Sequence, residues 1–350
     1  MFNFGIDWDV WNHKFYGSFD VFKEWRSDIL ISPSSTPILL GITPPQESLG
    51  KAETHGIELT IGHSHRYGDF KWSIEGMLTW NKNKITYMDE VERTYDYQQR
   101  TGKRIGQGFA LKFQQWASDE NLIATSQQDA IDHPEKYPYN TFAGASFKLG
   151  NAVFQDTNGD RQIDVDDKIA MGYNVDFDRI PELTPSVKLG FEWKGFDARV
   201  IMTAYLNRIA LCRENVDHSF GWGGATTHEI VNSWGYYTDD PADPRNINAK
   251  YPRLSAASFS SADRNDDTRE SDIWWMNGDY LSLRNIEIGY SFPLRWISRL
   301  GMTKLRVYFS GYNLYNWSHL GDGFDPENPT NYIWTYPKTK SFTFGLNISF

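Results

Sequence analysis

Phe2, Phe4, Ile6, Trp8 and Val10 alternate with Asn3, Gly5, Asp7 and Asp9, so the chain opens on a period of two, apolar on one strand face and polar on the other. The alternation resumes at Phe15, Gly17, Phe19 and Val21, and again at Ile57, Leu59 and Ile61. It returns at Phe70, Trp72, Ile74, Gly76, Leu78 and Trp80, then at Val187, Leu189, Phe191 and Trp193. Past a turn at Lys194-Gly195 it runs from Phe196 to Leu206. Tyr280 to Phe292, Leu305 to Phe309 and Phe342 to Phe350 complete nine predicted long strands.

Their connections alternate strictly in length. Asn12-Lys14, Ser64-Asp69, Lys194-Gly195 and Pro293-Thr303 are short, whereas residues 26–52, 81–183, 207–273 and 317–340 are long loops. Loops beyond about 15 residues are uncommon in compact domains. Membrane barrels, by contrast, combine short periplasmic turns with long extracellular loops. The fold class expected is therefore all-β, a transmembrane antiparallel β-barrel, with residues 1–350 as one portion of its wall; a soluble sandwich with decorated loops is the competing reading. The apolar positions Phe2, Ile6, Phe15, Phe19, Ile57, Leu59, Phe191, Trp193, Val200, Ile286, Ile288, Phe309 and Phe344 are expected to face lipid, their neighbours the lumen.

Composition supports that choice. Aromatic residues make up 16% of the chain while hydrophobic residues reach only 40%, a ratio suited to interfacial girdles or to a sugar-binding surface. A net charge of -10 offers no attraction to a polyanion, which argues against nucleic acid as a partner. The single cysteine, Cys212, forms no disulfide framework, and no window is apolar enough for a membrane-spanning helix. The N-terminal residues read as a strand and not as a secretory signal. Because an odd number of strands leaves a costly edge in lipid, the chain is expected to be the carboxy-terminal part of a larger barrel. The rest would lie on another polypeptide or on a missing segment.

One stretch carries metal chemistry. Asp156, Asn158, Asp160, Asp164 and Asp167 stand at positions 1, 3, 5, 9 and 12 of a loop, with the Gln162 carbonyl at position 7. That is the oxygen spacing of a calcium loop. Arg161 replaces the glycine usual at position 6, Asp167 the longer glutamate at position 12, and Ile163 is expected to point into a local core. The alternative is an acidic turn without an ion. Trp222, Trp234 and Tyr332 are candidates for stacking on a substrate, and Trp274, Trp275 and Trp317 are expected in the outer aromatic belt. No nucleophile elbow, zinc motif or phosphate loop occurs, so an enzyme is not expected.

Several segments together resemble the carboxy-terminal third of a SusC/RagA-type TonB-dependent outer-membrane transporter. They are Phe4-Gly5-Ile6-Asp7, Ser27-Asp28-Ile29-Leu30, the run Leu49 to Leu59, Trp193-Lys194-Gly195-Phe196-Asp197, Gly278 to Pro293, Leu305-Arg306-Val307-Tyr308, Gly311-Tyr312-Asn313-Leu314, Phe324-Asp325-Pro326-Glu327 and the closing stretch from Tyr336-Pro337 to Phe350. The resemblance implies a 22-stranded barrel with an internal plug, the plug being absent from these residues. It further implies a Gram-negative outer-membrane location, a SusD-like surface lipoprotein as lid, uptake of oligosaccharides or peptides, and energy from the TonB complex. The competing function is a non-transporting binding or scaffold subunit.

Overall fold

The computed structural model describes residues 1–33, 45–119, 124, 126–137, 149–174, 181–211, 228–253, 271–320, 324–327 and 338–350. Nine long strands form one antiparallel sheet: β1 (Phe2–Val10), β2 (Phe15–Ile31), β3 (Glu47–Tyr67), β4 (Phe70–Tyr87), β9 (Leu183–Trp193), β10 (Phe196–Tyr205), β13 (Tyr280–Ser291), β14 (Lys304–Ser318) and β15 (Ser341–Ser349). Neighbours in the sheet follow chain order, from β1 at one edge to β15 at the other. Six short strands lie in the long connections: β5 (Gln107–Ala110), β6 (Phe113–Trp116), β7 (Ala152–Phe154), β8 (Ile169–Asn174), β11 (Ile209–Leu211) and β12 (Trp275–Asn277).

Register carries the apolar face unbroken across the wall. Ile6 pairs with Phe19, Phe19 with Leu59 and Leu59 with Leu78. Further round, Leu189 pairs with Val200 and Val200 with Ile286, while Ile288 pairs with Phe309 and Phe309 with Phe344. Because directly paired residues share a face, the residues expected to face lipid fall on a single surface. Many stay open: Ile288 is 53% exposed and Phe344 77%. Such an apolar surface is far too large to be left in water.

The short connections lie at one rim. Both Lys194 and Gly195 have positive φ (47° and 91°), the form of a two-residue turn matched to strand twist. Gly68 supplies a positive φ between β3 and β4, and a short helical turn at Leu294–Ile297 links β13 to β14. On the polar face, Tyr16 folds over Gly62 and Tyr308 over Gly345. A Cβ at either glycine would lie 2.1 Å from the ring. An aromatic closing over a glycine on the next strand fixes register without adding bulk.

Three strands outrun their sequence signal. Loops expected from residues 26 and 81 begin later, because β2 continues to Ile31, and β4 to Tyr87; β3 already starts at Glu47. Beyond the lipid both faces meet water or loops, so alternation fades while the backbone ladder continues.

The buried core belongs to the loops, since a wall one sheet thick has none of its own. Trp116, Phe154, Trp234, Tyr251, Trp274 and Trp275 are its large aromatic members. β5 pairs with β8, β6 with β7 and β11 with β12. Two long connections clasp each other: the Trp116 indole Nε1 donates to the Ala249 carbonyl (2.9 Å), and the Phe113 amide donates to Asp272 Oδ1 (2.7 Å). Burial pushes the Asp272 carboxyl above its ordinary range.

Candidate functional site

Two arrangements carry chemistry, the polar face of the wall and the oxygen-rich loop. The polar face is a lattice of charge pairs. Tyr16 OH and Lys188 Nζ both donate to Glu75, at 2.8 and 3.0 Å, linking β2, β4 and β9. Arg306 on β14 reaches Asp197 Oδ1 at 3.0 Å, Asp197 Oδ2 at 2.5 Å and Glu287 Oε1 at 2.7 Å, crossing β13 to β10. Arg306, Asp197 and Glu287 border a concavity of about 870 Å³ toward the short-turn rim, where Arg66, Lys71, Arg199 and Glu192 also stand. A wall apolar outside and salt-bridged inside is suited to lipid on one side and water on the other.

Toward the long-loop rim, Arg284 is the bulged residue of β13 against β10, between Leu283 and Asn285. Opposite it Asn313 takes a φ of 53°. Arg284 donates to Glu327 Oε1 (2.5 Å) and to Tyr205 OH (2.9 Å). Burial raises the pKa of Glu327, but hydrogen bonds from Arg284 and Lys338 more than offset it, so the carboxylate is held below its ordinary range. The Phe324-Asp325-Pro326-Glu327 segment is therefore tied to the wall by charge.

The loop from Asp156 to Asp167 folds as a chain of side-chain-capped turns. Asp156 accepts from the amides of Gly159 (2.6 Å) and Arg161 (2.8 Å), Asn158 from Asp160 and Asp160 from Gln162. Arg161 takes a φ of 66°, a left-handed conformation at the position where a calcium loop usually has glycine. Asp164 and Asp167 form a capping box over the turn Val165–Asp167. Asp167 is fully buried, its carboxylate accepting the amides of Thr157 (2.7 Å) and Asp164 (2.9 Å). Burial raises its pKa, the three amides of Asp164, Thr157 and Asn158 oppose this, and the Asp156 charge adds to the rise; the net direction is upward. Tyr97 OH donates to the Asp166 carbonyl at 2.5 Å, and burial first, then these carboxylates, push its own pKa to about 12. Ile163 is 8% exposed and joins the loop core, as expected.

Donor chemistry and backbone path thus fit a hard cation, with Asp156, Asn158, Asp160, Asp164, Asp167 and the Gln162 carbonyl available to hold it. Among the described residues, however, no three His, Cys, Asp or Glu side chains converge closely enough to hold a metal ion. The carboxylates instead engage backbone amides.

The loop aromatics fall differently from expectation. Trp234 is 3% exposed and its ring packs over Gly150, so it belongs to the core and presents no face to a ligand. Trp274 and Trp275 are buried with it, not placed in a belt; only Trp317, 47% exposed on β14, lies open. Trp222, Tyr332 and Cys212 lie outside the described residues. Among the described residues of this loop, Tyr236 and Tyr237, neighbours in an edge-on pair, are the exposed aromatics, with Arg245 over Tyr237. Only their place between buried Trp234 and Pro241 distinguishes them in the sequence.

Comparisons with known proteins agree with this geometry. TonB-dependent receptor P3 of Formosa agariphila is 24% identical over 372 residues, covering 99% of this chain and 33% of the relative. TonB-dependent receptor SusC of Bacteroides thetaiotaomicron is 26% identical over 361 residues, covering 99% and 31%. The chain spans about a third of the length of these curated relatives. A solved structure of the RagAB peptide importer in its closed-closed state shares the fold with a TM-score of 0.67 at 16% identity, over 99% of this chain and 35% of that one. The family model described as TonB dependent receptor-like, beta-barrel, matches residues 2–205, and the chain belongs to that family.

Proposed function

We propose that this chain forms part of the barrel wall and mouth of a SusC/RagA-type importer in the outer membrane of a Gram-negative bacterium. The importer takes up oligosaccharides or peptides beneath a SusD-like lipoprotein lid, with energy passed from the TonB complex through a plug borne outside these residues. The observation that carries this reading is the nine-stranded sheet with one unbroken apolar face and strictly alternating short and long connections. Support also comes from the relatives themselves, a TonB-dependent receptor, SusC and a peptide importer. Both sheet edges, β1 and β15, are to pair with strands from outside residues 1–350, since an unpaired ladder in lipid is costly. No residue is assigned a catalytic role.

Affinity purification from outer membranes of the native cell, through a tag in the Asp239–Asp243 turn, tests this. The expected result is co-purification of plug-bearing residues, continuous with this chain or separate, together with a surface lipoprotein. Recovery from membranes with neither would favour the scaffold function, and recovery from the soluble fraction would overturn both.

We also propose that Asp156, Asn158, Asp160, Gln162, Asp164 and Asp167 bind calcium, which orders the long connection between β4 and β9. A folded-state pKa raised above the ordinary 3.8 means that the folded loop holds its Asp167 proton more tightly than the unfolded one. Loop stability therefore falls as pH rises from that value through the folded pKa, and calcium restores it at neutral pH by supplying the missing countercharge. Limited proteolysis of the loop should slow on calcium addition at pH 7, and Asp156→Ala with Asp160→Ala should abolish the protection while leaving the barrel intact. Cleavage indifferent to chelator at neutral pH would leave an ion-free acidic turn.

A further inference from the structure

The apolar face of the wall ends abruptly on β2, β3 and β4. Val21, Ile57 and Trp80 form one cross-strand row; the next row toward the long-loop rim is Lys23, His55 and Lys82, and the one after it Trp25, Glu53 and Lys84. All nine share the face that carries Phe19, Leu59 and Leu78. Successive rows are two residues apart, about 7 Å along the strands, so cationic groups begin within one step of the last apolar row.

These cations are organised. Glu53, its side chain only 13% exposed, lies between two lysines, its Oε2 3.2 Å from Lys23 Nζ and its Oε1 2.9 Å from Lys84 Nζ. Both lysine side chains stay half-exposed, at 41% and 49%. The Lys23 ammonium also sits 5.2 Å from the Trp25 ring centroid, and the His55 ring packs edge-on against Trp80 at 5.5 Å. Lys82 is exposed and has no ion pair among the described residues, and exposed Lys51 follows at the same rim. Glu53 is the one carboxylate in the two rows that hold Lys23, Lys82 and Lys84, which leaves surplus positive charge, because Glu24 and Glu58 alternate onto the opposite face. On the same apolar face toward the same rim, β10, β13 and β14 present Ala204, Leu281 and Trp317. The basic patch is thus local to three strands.

We propose that this patch docks a lipid with a phosphorylated, anionic headgroup in the leaflet on the long-loop side. The lysines hold the phosphate, the Trp25 and Trp80 rings flank the interface, and the apolar rows below receive the acyl chains. A free phosphate ion would use only the upper half of this surface, whereas a lipid uses both, with attraction to each basic side chain adding to apolar burial. Glu53 holds Lys23 and Lys84 at fixed spacing on rigid strands, so little ordering entropy remains to be lost on binding. The inference rests on the outer-membrane reading above.

The test is native mass spectrometry of the full-length, detergent-extracted transporter. It would be titrated with phosphatidic acid, with phosphatidylcholine of identical chains, and with inorganic phosphate. Phosphatidic acid should be retained preferentially, and the Lys23→Gln, Lys82→Gln, Lys84→Gln triple variant should weaken that retention roughly tenfold or more, leaving phosphatidylcholine unchanged. The corresponding triple arginine variant should retain wild-type binding, and heat-modifiable gel migration should report a folded barrel for both. Equal retention of the two lipids, displacement by millimolar inorganic phosphate, or undiminished binding in the folded glutamine variant would overturn the proposal. Recovery of the chain outside the membrane fraction would instead strike the outer-membrane reading on which it rests.

Discussion

Replacing Leu59 with arginine should destabilise the full-length protein in lipid by about 2–4 kcal/mol, the cost of a cation near the middle of a barrel's lipid face. Leu59 stands in the row Ile6, Phe19, Leu59 and Leu78, two steps below the basic rows at Lys23 and well above the turn at Gly68. Its neighbour Thr60 pairs with Ser18 and Met77 on the opposite face, so Thr60→Arg should cost much less, the side chain reaching water in the lumen. Urea unfolding from vesicles, followed by heat-modifiable gel mobility, measures both. Equal effects of the two substitutions, or a larger cost at Thr60, would mean that the faces had been assigned the wrong way round. A one-residue register error would invert every assignment along β3.

The nine wall strands were legible because lipid on one side and a polar interior on the other impose a period of two that the sequence must obey. The same reasoning explains where legibility stopped. In β2 the run Glu24, Trp25, Arg26, Ser27, Asp28 has no apolar alternation, and a bulge at Asp28, with φ 59°, breaks the register, yet the strand continues to Ile31. The loop core was invisible for a different reason. Leu111 bridges Ser271, and Trp116 donates to Ala249, so the partners are more than a hundred residues apart and leave no local period. Trp274 and Trp275 accordingly read as belt residues although they are buried. The oxygen-rich loop was more transparent, since its turns are closed by side chains of near neighbours. Ile163 enters the core as its position required, and Arg161 accepts the left-handed conformation that its position demands. What spacing could not show is the distance between carboxylates. In the described structure those side chains cap amides instead of converging.

The other large effect is expected where the long connection after β4 returns to the wall. Residues 102 and 103 pair with Ile85, the Ile105 amide donates to Asn83 Oδ1 (2.9 Å), and Glu90 accepts the amides of Arg100 and Thr101 (both 2.9 Å). This path delivers Arg104 to Glu182, the residue just before β9, with Nη2 2.6 Å from Oε1 and side-chain exposures of 8% and 4%. The Glu182 carbonyl in turn accepts the Asn81 amide of β4 at 2.9 Å. The pair therefore fastens both ends of a connection of nearly a hundred residues to neighbouring wall strands. Arg104→Ala would leave a buried carboxylate without its cation, a loss of about 3–5 kcal/mol when one partner of a buried pair is removed. Because the wall strands are held by their own ladders, the loss should be local. Amide exchange should quicken across residues 88–119 and 149–174 while β3 and β10 stay protected. Replacing both partners, Arg104→Met with Glu182→Leu, should recover most of that protection, since two apolar side chains leave no unpaired charge. If Arg104→Ala leaves exchange in the loop unchanged, the ion pair is not what anchors it, and the aromatic core around Trp116 and Trp274 must hold the connection alone.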